Sequence, residues 1–395
     1  MNYVIIGGGI AGTTAAETIR SIDVQGSITI LSKEPYPLYS RITITNYAAG
    51  EVEKERLFIR HPQQYLDKNI QLIESATATS IDTENKQVTY SNVDGQSTQI
   101  AYDRLLIATG GMTNKIDLPG SDGNGIFYIY DIDDATKIME YTKGKKHAVV
   151  SGGAFIGIDF VTIFQTLGLS IDFLIRGDRF LHSLLDEQAS TLIQDYLTNK
   201  GVSIRTEEEI QEFLLDENRN VVGVKTNKVA NQACDVVGLG LGINRITPLI
   251  AAIPLKKNKG VVTNEYLQTS DPNIYAAGDI AEYYDVHTKE YATNGDWASA
   301  RLQGIVAGKN LAGQPTAFNE VPSNTINILG KNATVIGCVD PDLQTQVKDN
   351  EKSYIKVFMR DGVIIGGIVI GDNIHALKIK TAIKEKKGIN DIDIS

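Results

Sequence analysis

Two glycine-rich turns, each between an apolar strand pattern and a helical pattern, are the parts of this sequence whose residue types and spacing most clearly imply chemistry. The first turn follows the apolar run at residues 4–6. In a G-x-G-x-x-G turn the first glycine permits a tight bend, the second lets the backbone approach a diphosphate, and the third packs the helix on the strand. The N–H groups at the helix start then face the anion. The residues of this predicted dinucleotide site are Gly7, Gly9, Ile10, Ala11 and Gly12.

An acidic residue follows the second predicted strand. Glu34 lies 22 residues beyond Gly12, shortly after the apolar run Ser27–Leu31. At this point of a dinucleotide fold a carboxylate can accept hydrogen bonds from both ribose hydroxyls. The acid therefore strengthens the assignment of the first turn to the adenine half of a dinucleotide.

The second turn is a less regular copy of the first. It has Gly152, Ala154 and Gly157 at the three glycine positions, so a methyl group stands where a diphosphate would come closest. Ile175 occupies the position, 18 residues after Gly157, where an acid would hold a ribose. An apolar side chain cannot bind a 2′-hydroxyl group at that point.

Three interpretations of the second turn stay open. Arg176 and Arg179 could receive the 2′-phosphate of NADP(H), because guanidinium groups match phosphate geometry. Asp178 could instead hold the ribose from a shifted register. In the third interpretation the turn binds a nicotinamide nucleotide weakly or not at all.

Three single residues suit a flat, phosphorylated ligand, and each also has an ordinary structural interpretation. Asp279, after Gly278, could accept hydrogen bonds from a hydroxylated chain such as ribityl, or it could cap a helix. Arg41 could neutralise a diphosphate, or it could be an unpaired surface residue. Trp297 could form a wall for a flat ring, or it could fill the core.

Strand-turn-helix units recur in the order that two nested dinucleotide folds require. After the second turn and a strand near Val236, the first pattern resumes at residues 273–279 and continues with a helix from about Trp297 to Leu311. Strand-like segments after Pro315 and a final helix indicate a small α+β domain. We therefore predict an α/β fold with two nested Rossmann-like domains and a C-terminal α+β domain. The expected boundaries are residues 1–115 and 250–318 for the first domain, 116–249 for the second and 319–395 for the third.

The composition of the 395-residue chain excludes several classes of function. A net charge of −10 argues against a nucleic-acid-binding protein, which needs a clustered basic face. No apolar run approaches the roughly 18 residues of a membrane span, and the N-terminal strand pattern leaves no room for a signal peptide. Two cysteines, Cys234 and Cys338, are too few for a disulfide framework, so we expect a cytoplasmic protein. The five histidines show no metal-ligand spacing.

The final helical segment is locally basic. Residues 378–387 contain five lysines against the single acid Glu385. A solvated surface helix is one interpretation of this pattern, and a docking patch for an acidic protein is the other.

Together these motifs resemble the FAD-dependent pyridine nucleotide-disulfide oxidoreductase family. The resemblance is to the branch of NADH:rubredoxin reductases, ferredoxin reductases of oxygenase systems and the flavin domain of nitrite reductase large subunits. It covers essentially the whole chain and implies a glutathione-reductase-like order of domains. It rests on five ordered blocks, which are residues 4–12, 34–41, 102–110, 269–279 and 297–304.

The resemblance also implies which residues bind cofactors. The second glycine turn would receive NADH or NADPH, and Asp159 is the counterpart of a glutamate near the nicotinamide. The C-terminal domain would supply an interface. The residues implied to bind FAD, besides the first turn, are Glu34, Arg41, Ala78 through its backbone, Thr109, Gly110 and Asp279.

Two departures from the family pattern narrow the expected chemistry. Segment 41–47 contains no cysteine, which the disulfide-reducing and peroxidase branches need, and it lacks the lysine usual in oxygenase-system reductases. We expect an oxidoreductase that passes electrons from NAD(P)H through FAD to a rubredoxin- or ferredoxin-like carrier, with no catalytic side chain of its own. The alternatives are an FAD subunit of a larger complex with a degenerate nicotinamide site, and an NAD(P)H oxidase. A homodimer is compatible with each of them.

Overall fold

A computed structural model describes residues 1–182, 184–349, 353–371 and 373–392. The first elements in chain order are β1 (Asn2–Ile6), α1 (Ile10–Ile22), β2 (Ser27–Leu31), α2 (Ile44–Ala48), α3 (Pro62–Leu66), β3 (Ile70–Ile73), β4 (Thr77–Asp82), β5 (Gln87–Ser91), β6 (Ser97–Ala101), β7 (Arg104–Ile107) and β8 (Met112–Thr113). The next are β9 (Ile126–Phe127), α4 (Ile132–Tyr141), β10 (His147–Ser151), α5 (Phe155–Thr166), β11 (Ser170–Ile175), α6 (Glu187–Asn199), β12 (Val202–Thr206), β13 (Ile210–Leu215), β14 (Val221–Thr226), β15 (Gln232–Ala233), β16 (Val236–Leu239) and β17 (Ile243–Asn244). The last are α7 (Pro248–Ala252), β18 (Val261–Thr263), β19 (Ile274–Ala276), β20 (Ala281–Asp285), β21 (Glu290–Thr293), α8 (Trp297–Leu311), β22 (Ser323–Ile328), β23 (Lys331–Gly337), β24 (Gln344–Asp349), β25 (Tyr354–Arg360), β26 (Val363–Ile370) and α9 (Asn373–Lys384). Short 3-10 helices lie at Lys54–Leu57 and Ile389–Asp391.

The chain forms two compact units, and the first is built on a parallel sheet. This unit comprises residues 1–40, 58–112 and 244–324. Its central sheet has the order β19-β7-β1-β2-β3, with every pairing parallel. The strands are short apolar runs buried on both faces, as expected for a parallel sheet covered by helices. The carboxyl ends of β1 and β7, where the strand order reverses, meet at one edge, which is where such folds bind ligands.

The second unit repeats this arrangement. It comprises residues 41–57, 113–243 and 325–395, and its parallel sheet has the order β12-β11-β10-β16-β9. Helix α5 packs on β10, β11 and β16 through fully buried aromatic side chains, among them Phe160 and Phe164. The antiparallel strands β13, β14 and β15 complete this part of the unit.

The C-terminal segment forms a five-stranded sheet backed by a helix. The sheet order is β22-β23-β26-β25-β24, and α9 packs on β23 and β26. Asp186, the N-cap of α6, joins this sheet to the second dinucleotide fold. Its carboxylate accepts hydrogen bonds from Lys356 Nζ at 2.6 Å and from Tyr354 Oη at 2.9 Å.

The predicted fold class is confirmed. The second parallel sheet is made by a segment that lies, in sequence, between β7 and β19, which are neighbours in the first sheet. The strand at Ser27–Leu31 and the helix at Trp297–Leu311 have the predicted bounds. The three domain boundaries stay a prediction.

The basic segment at residues 378–387 contains the end of α9, so the predicted helix is present. Its buried face is apolar and includes Ala376, Ile379 and Ala382, while Lys384 and Lys386 are exposed. Both interpretations of the lysines, a solvated face or a docking patch, stay open. Across the described residues, every helix is too short or too polar to cross a membrane.

Candidate functional site

The first glycine turn is closed on its inner side and open on its outer side. Gly7 has a φ of +120°, and a Cβ at this position would lie 2.1 Å from the carbonyl oxygen of Ala108. A Cβ on Gly12 would lie 2.0 Å from the oxygen of Gly7. In contrast, apart from its chain neighbours, the described residues place no atom within 4 Å of the Cβ position of Gly9. Packing therefore requires Gly7 and Gly12, whereas Gly9 leaves space in front of the turn.

Helix α1 begins at this open side without a side-chain cap. Its N-cap is Gly9, and the first backbone hydrogen bond runs from Thr13 N to Gly9 O at 3.0 Å. The N–H groups of Ile10, Ala11 and Gly12 have no acceptor within the helix, because the first turn of any helix leaves these donors unused. Three long helices elsewhere, α4, α6 and α8, begin with an aspartate that accepts such a bond. The turn thus fits the diphosphate of a dinucleotide, which would replace the missing cap.

The predicted ribose ligand, Glu34, lies after β2 and is half-buried. Its carboxylate accepts a hydrogen bond from the hydroxyl of the buried Tyr39. The tyrosine hydroxyl fixes the direction of the carboxylate. Sequence reasoning missed Tyr39, although it lies within the block at residues 34–41.

A second acid, Glu74, also escaped sequence reasoning. It follows β3, the strand next to β2, and burial raises the pKa of its carboxyl. Its Oε1 atom is buried and has no hydrogen-bond partner among the described residues. Ala78, whose backbone is predicted to meet the adenine, lies on β4 beside a bulge in the β4–β5 pairing.

Residues after β7 and β19 lie together at the same edge of the sheet, because these strands are neighbours. Thr109 and Gly110 follow β7, and Gly110 has a φ of +66° that favours glycine. Gly278 and Asp279 follow β19 in a turn. The helix-cap interpretation of Asp279 is wrong, because the next element is the strand β20. The predicted roles of these residues toward FAD stay predictions.

Gln303 fixes the turn at Gly278. It is 1% exposed, and its Oε1 accepts a hydrogen bond from Gly278 N at 2.7 Å. The next residue, Gly304, lets α8 approach α1, since a Cβ there would lie 2.4 Å from the oxygen of Ala11. Helix α8 therefore supports both the glycine turn and the turn after β19. Gln303 belongs to the block at residues 297–304, which was the available signal for it.

Trp297 is the first residue of α8 and is only half-buried. The core-filling interpretation stays open, because a large indole ring in a core often keeps part of its surface exposed. Its predicted role as a wall for a flat ring stays a prediction.

Arg41 lies in the second unit and contacts Tyr130 of the same unit. Its guanidinium lies 4.4 Å from the centroid of the Tyr130 ring and donates a hydrogen bond to the Tyr130 carbonyl oxygen. The interpretation as an unpaired surface residue is therefore wrong. Its predicted contact with a diphosphate stays a prediction.

The second turn has the same backbone packing as the first. Gly152 has a φ of +123°, and its Cβ position lies 2.2 Å from the oxygen of Gly240. A Cβ on Gly157 would lie 1.9 Å from the oxygen of Gly152. Ala154 is the N-cap of α5, is exposed and, like Gly9, provides no side-chain cap. The helix start is therefore open to an anion, with one methyl group at the approach.

The strand end of the second fold differs from that of the first. Ile175 is 2% exposed and packs beside Gly153, whose Cβ position lies 2.7 Å from Ile175 Cγ2. Arg176 is exposed, and Arg179 pairs with Asp178 at 2.8 Å. In the described part of the chain, Ile175 rather than a carboxylate occupies the place that Glu34 has in the first fold.

Asp159 lies on α5, two residues after Gly157. Burial raises the pKa of its carboxyl to about 7, and a hydrogen bond from Thr45 Oγ1, at 3.4 Å from Oδ1, opposes this shift. The carboxyl therefore changes its protonation near neutral pH. Thr45 belongs to α2, which packs on α4 and α5. Its proximity to Asp159 is a contact across 114 residues that no sequence pattern indicated.

The described histidines, cysteines and acids form no cluster of three or more that could hold a metal ion. His147, for example, is bonded to Ser170 and Asp172 at 2.7 and 3.1 Å.

Two nested dinucleotide folds, each with an uncapped helix start at a glycine turn, define the class of two-nucleotide flavoprotein oxidoreductases. The chain belongs to the pyridine nucleotide-disulphide oxidoreductase family, whose sequence model matches residues 1–303. Residues 322–387 match the rubredoxin NAD+ reductase C-terminal domain. The predicted family and enzyme class are thus confirmed, and the chain is an FAD-dependent NAD(P)H oxidoreductase.

Relatives of different length share this organisation. The chain is 28% identical to the NADH-rubredoxin oxidoreductase of Clostridium acetobutylicum over 392 residues, covering 98% of this chain and 96% of the relative. The crystal structure of the C. acetobutylicum NADH:rubredoxin oxidoreductase matches with a TM-score of 0.78 at 28% identity and covers 100% of this chain and 97% of that one. The chain is 27% identical to the NAD(P)H nitrite reductase of Bacillus subtilis, covering 98% of this chain. It spans about half the length, 48%, of that nitrite reductase.

Proposed function

We propose that this protein takes electrons from a reduced nicotinamide nucleotide and passes them to a small carrier protein of the rubredoxin or ferredoxin type. The observation that carries the proposal is the pair of uncapped glycine turns, at Gly9 and Ala154, in one chain. Each turn provides free helix N–H donors for one dinucleotide. The C-terminal match and the full-length NADH-rubredoxin oxidoreductase relative support a carrier as the acceptor.

The residues of the chain bind and orient the two nucleotides. In this proposal the first turn holds the diphosphate of FAD, Glu34 holds its adenine ribose, and Asp279 accepts hydrogen bonds from its ribityl chain. When bound, FAD supplies the chemistry that links a two-electron hydride donor to a one-electron acceptor. The second turn binds the diphosphate of the nicotinamide nucleotide, and Asp159 holds or releases a proton near neutral pH. Proximity is then the main contribution of the protein to the rate.

Anaerobic reduction of the purified holoprotein tests this function. Flavin absorbance is followed while NADH or NADPH is added. We expect prompt bleaching at micromolar nucleotide, followed by reoxidation when oxidised rubredoxin or ferredoxin is added. No bleaching at millimolar concentrations of either nucleotide would overturn the proposal in favour of a subunit that is reduced by a protein partner. Oxygen consumption without a carrier at the same rate would indicate an NAD(P)H oxidase.

Three further assignments belong to the proposal. The domain boundaries are residues 1–115 and 250–318, 116–249 and 319–395. A cytoplasmic location is supported by a content of only two cysteines. Assembly as a homodimer is the third, and light scattering of the holoprotein tests it.

A further inference from the structure

The end of β11 decides which nicotinamide nucleotide suits the second fold. In a dinucleotide fold the adenine ribose lies at the end of the second strand, where a carboxylate binds the 2′-hydroxyl of NADH. Here Ile175 ends that strand, and its side chain is 2% exposed. It offers no hydrogen-bond acceptor, so a free 2′-hydroxyl finds no partner at this point.

The acids near this strand end already have cationic partners or face solvent. Asp178 is 64% exposed at its side chain and pairs with Arg179 Nη1 at 2.8 Å. Glu208 is buried and binds both Arg205 Nε and Nη2, at 2.9 and 2.8 Å. Glu207 is bonded to Gly177 through its backbone N–H, and its side chain is exposed. These acids are therefore not arranged as ribose acceptors.

Near the end of β11 the chain has hydrogen-bond donors that suit a phosphate, in place of acceptors that suit a ribose hydroxyl. Arg176 follows Ile175 directly, is exposed, and has neither a hydrogen-bond nor an ion-pair partner in the part of the chain that the structure describes. Gly177, which has no side chain, follows Arg176. Beyond it lies the imidazole of His182, since a Cβ on Gly177 would be 3.0 Å from His182 Nδ1. Arg176 and the His182 imidazole therefore both lie close to Gly177, directly after the predicted ribose position.

Arg179 is less suited to a phosphate than Arg176. Its Nη1 is engaged by Asp178, and its Nη2 lies 3.5 Å from the carbonyl oxygen of His182. Its Nε is buried and has no partner among the described residues, so this edge of the guanidinium faces inward. Of these two arginines, Arg176 is the one without a partner among the described residues, and its planar donors match two phosphate oxygens.

We propose that the second fold binds NADPH in preference to NADH, with Arg176 paired to the 2′-phosphate and His182 as an additional donor. This proposal rests on the proposed function, because it assigns the nucleotide of the same site. The buried Ile175 removes the acceptor that NADH requires, and the free guanidinium supplies the donor that the additional phosphate of NADPH requires.

Binding of nucleotide fragments tests the preference without relying on flavin reduction. Isothermal titration of the holoprotein with 2′,5′-ADP and with 5′-ADP compares ligands that differ by the 2′-phosphate. We expect 2′,5′-ADP to bind at least roughly tenfold tighter, as one charge-assisted contact would give. Equal affinities, or tighter binding of 5′-ADP, would overturn the proposal.

Variants test whether Arg176 is the source of the preference for 2′,5′-ADP over 5′-ADP. Arg176→Ala should bring the ratio of the two affinities close to one, and Arg176→Lys should restore part of it. Arg219→Ala is the matched control, because Arg219 is an exposed arginine paired with Asp122 elsewhere in the same unit, and it should leave the ratio unchanged. A preference that survives Arg176→Ala would contradict the assignment.

Stopped-flow reduction separates this proposal from the proposed function. If the function is correct, NADPH should reduce the flavin with a half-saturating concentration at least roughly tenfold below that of NADH. If neither nucleotide reduces the flavin while 2′,5′-ADP still binds more tightly, the reductase function fails and the nucleotide preference stands. If NADH is the better reductant, the function stands and the preference fails.

Discussion

The two glycine turns share a backbone and differ in their side chains. Gly7 and Gly152 have φ values of +120° and +123°, and in both turns a Cβ would lie about 2 Å from a carbonyl oxygen of the adjoining strand end. The turns differ at the middle position, where Gly9 is replaced by Ala154, and at the strand end, where the carboxylate of Glu34 gives way to a buried isoleucine. Packing of helix on sheet therefore fixes the turn in either fold, and ligand choice resides in a few side chains.

The same substitution in both turns should have different consequences. Gly9→Asp places a carboxylate in the open space before α1, where about 3 kcal/mol of repulsion would weaken FAD binding roughly 100-fold. The matched variant Ala154→Asp should keep FAD and lose reduction by the nicotinamide nucleotide. Flavin content after gel filtration and anaerobic bleaching report these effects separately. Loss of FAD from Ala154→Asp would mean that the two turns do not serve separate nucleotides.

A substitution of Glu34 tests whether the carboxylate after the second strand of the first fold binds FAD. Glu34→Gln keeps a partner for the Tyr39 hydroxyl but removes the charge that strengthens hydrogen bonds from the ribose, so FAD should bind roughly tenfold more weakly. Fluorescence titration of the apoprotein with FAD measures this change. Glu84→Gln, in the exposed β4–β5 turn, serves as the control. An unchanged affinity for FAD in Glu34→Gln would remove Glu34 from the site.

The two folds also differ two residues after the last glycine of each turn. The first fold has Thr14 at this position, after Gly12, and the second has Asp159, after Gly157. The folded-state pKa of Asp159, about 7, lies above the usual 3.8, so the folded protein holds this proton more tightly than the unfolded chain. Its contribution to stability is therefore present at about pH 4 and is lost as pH rises toward 7. Asp159→Asn cannot ionise and should gain about 1 kcal/mol relative to wild type for each pH unit between pH 5 and pH 7.

Thermal unfolding of the holoprotein across this pH range measures the difference. The control is Asp94→Asn, in the exposed β5–β6 turn. A difference between wild type and Asp159→Asn that is constant with pH would show that Asp159 ionises as an ordinary surface acid.

The smallest effect is expected from the methyl group of the second turn. Ala154→Gly opens the approach to α5 without changing its hydrogen bonds, and the affinity for the nicotinamide nucleotide should rise about threefold, equivalent to about 0.7 kcal/mol. Calorimetric titration detects a change of this size. Weaker binding would indicate that the methyl group contacts the nucleotide favourably.

Local patterns were sufficient to predict the elements that make the turns. The apolar runs, the glycines and the returning strand at Ile274–Ala276 are encoded in consecutive residues, so the nested order could be derived from them. The contacts of single side chains, in contrast, depend on residues that are far away in the sequence. Arg41 binds Tyr130, 89 residues away, and the helix-cap interpretation of Asp279 failed because the chain after Gly278 enters a strand. Gln303 has its partner at Gly278, which no periodicity indicates.

The order of strands in the first sheet has a consequence for synthesis of the chain. When residues 1–243 have been made, every strand of the second sheet is available, but the first sheet still lacks β19, one of its two edge strands. The turn at Gly278 and the supporting helix α8 come later still. The inner dinucleotide fold can therefore be completed during translation before the outer one, and the site at the first glycine turn is completed only after Gly278 and α8 have been made.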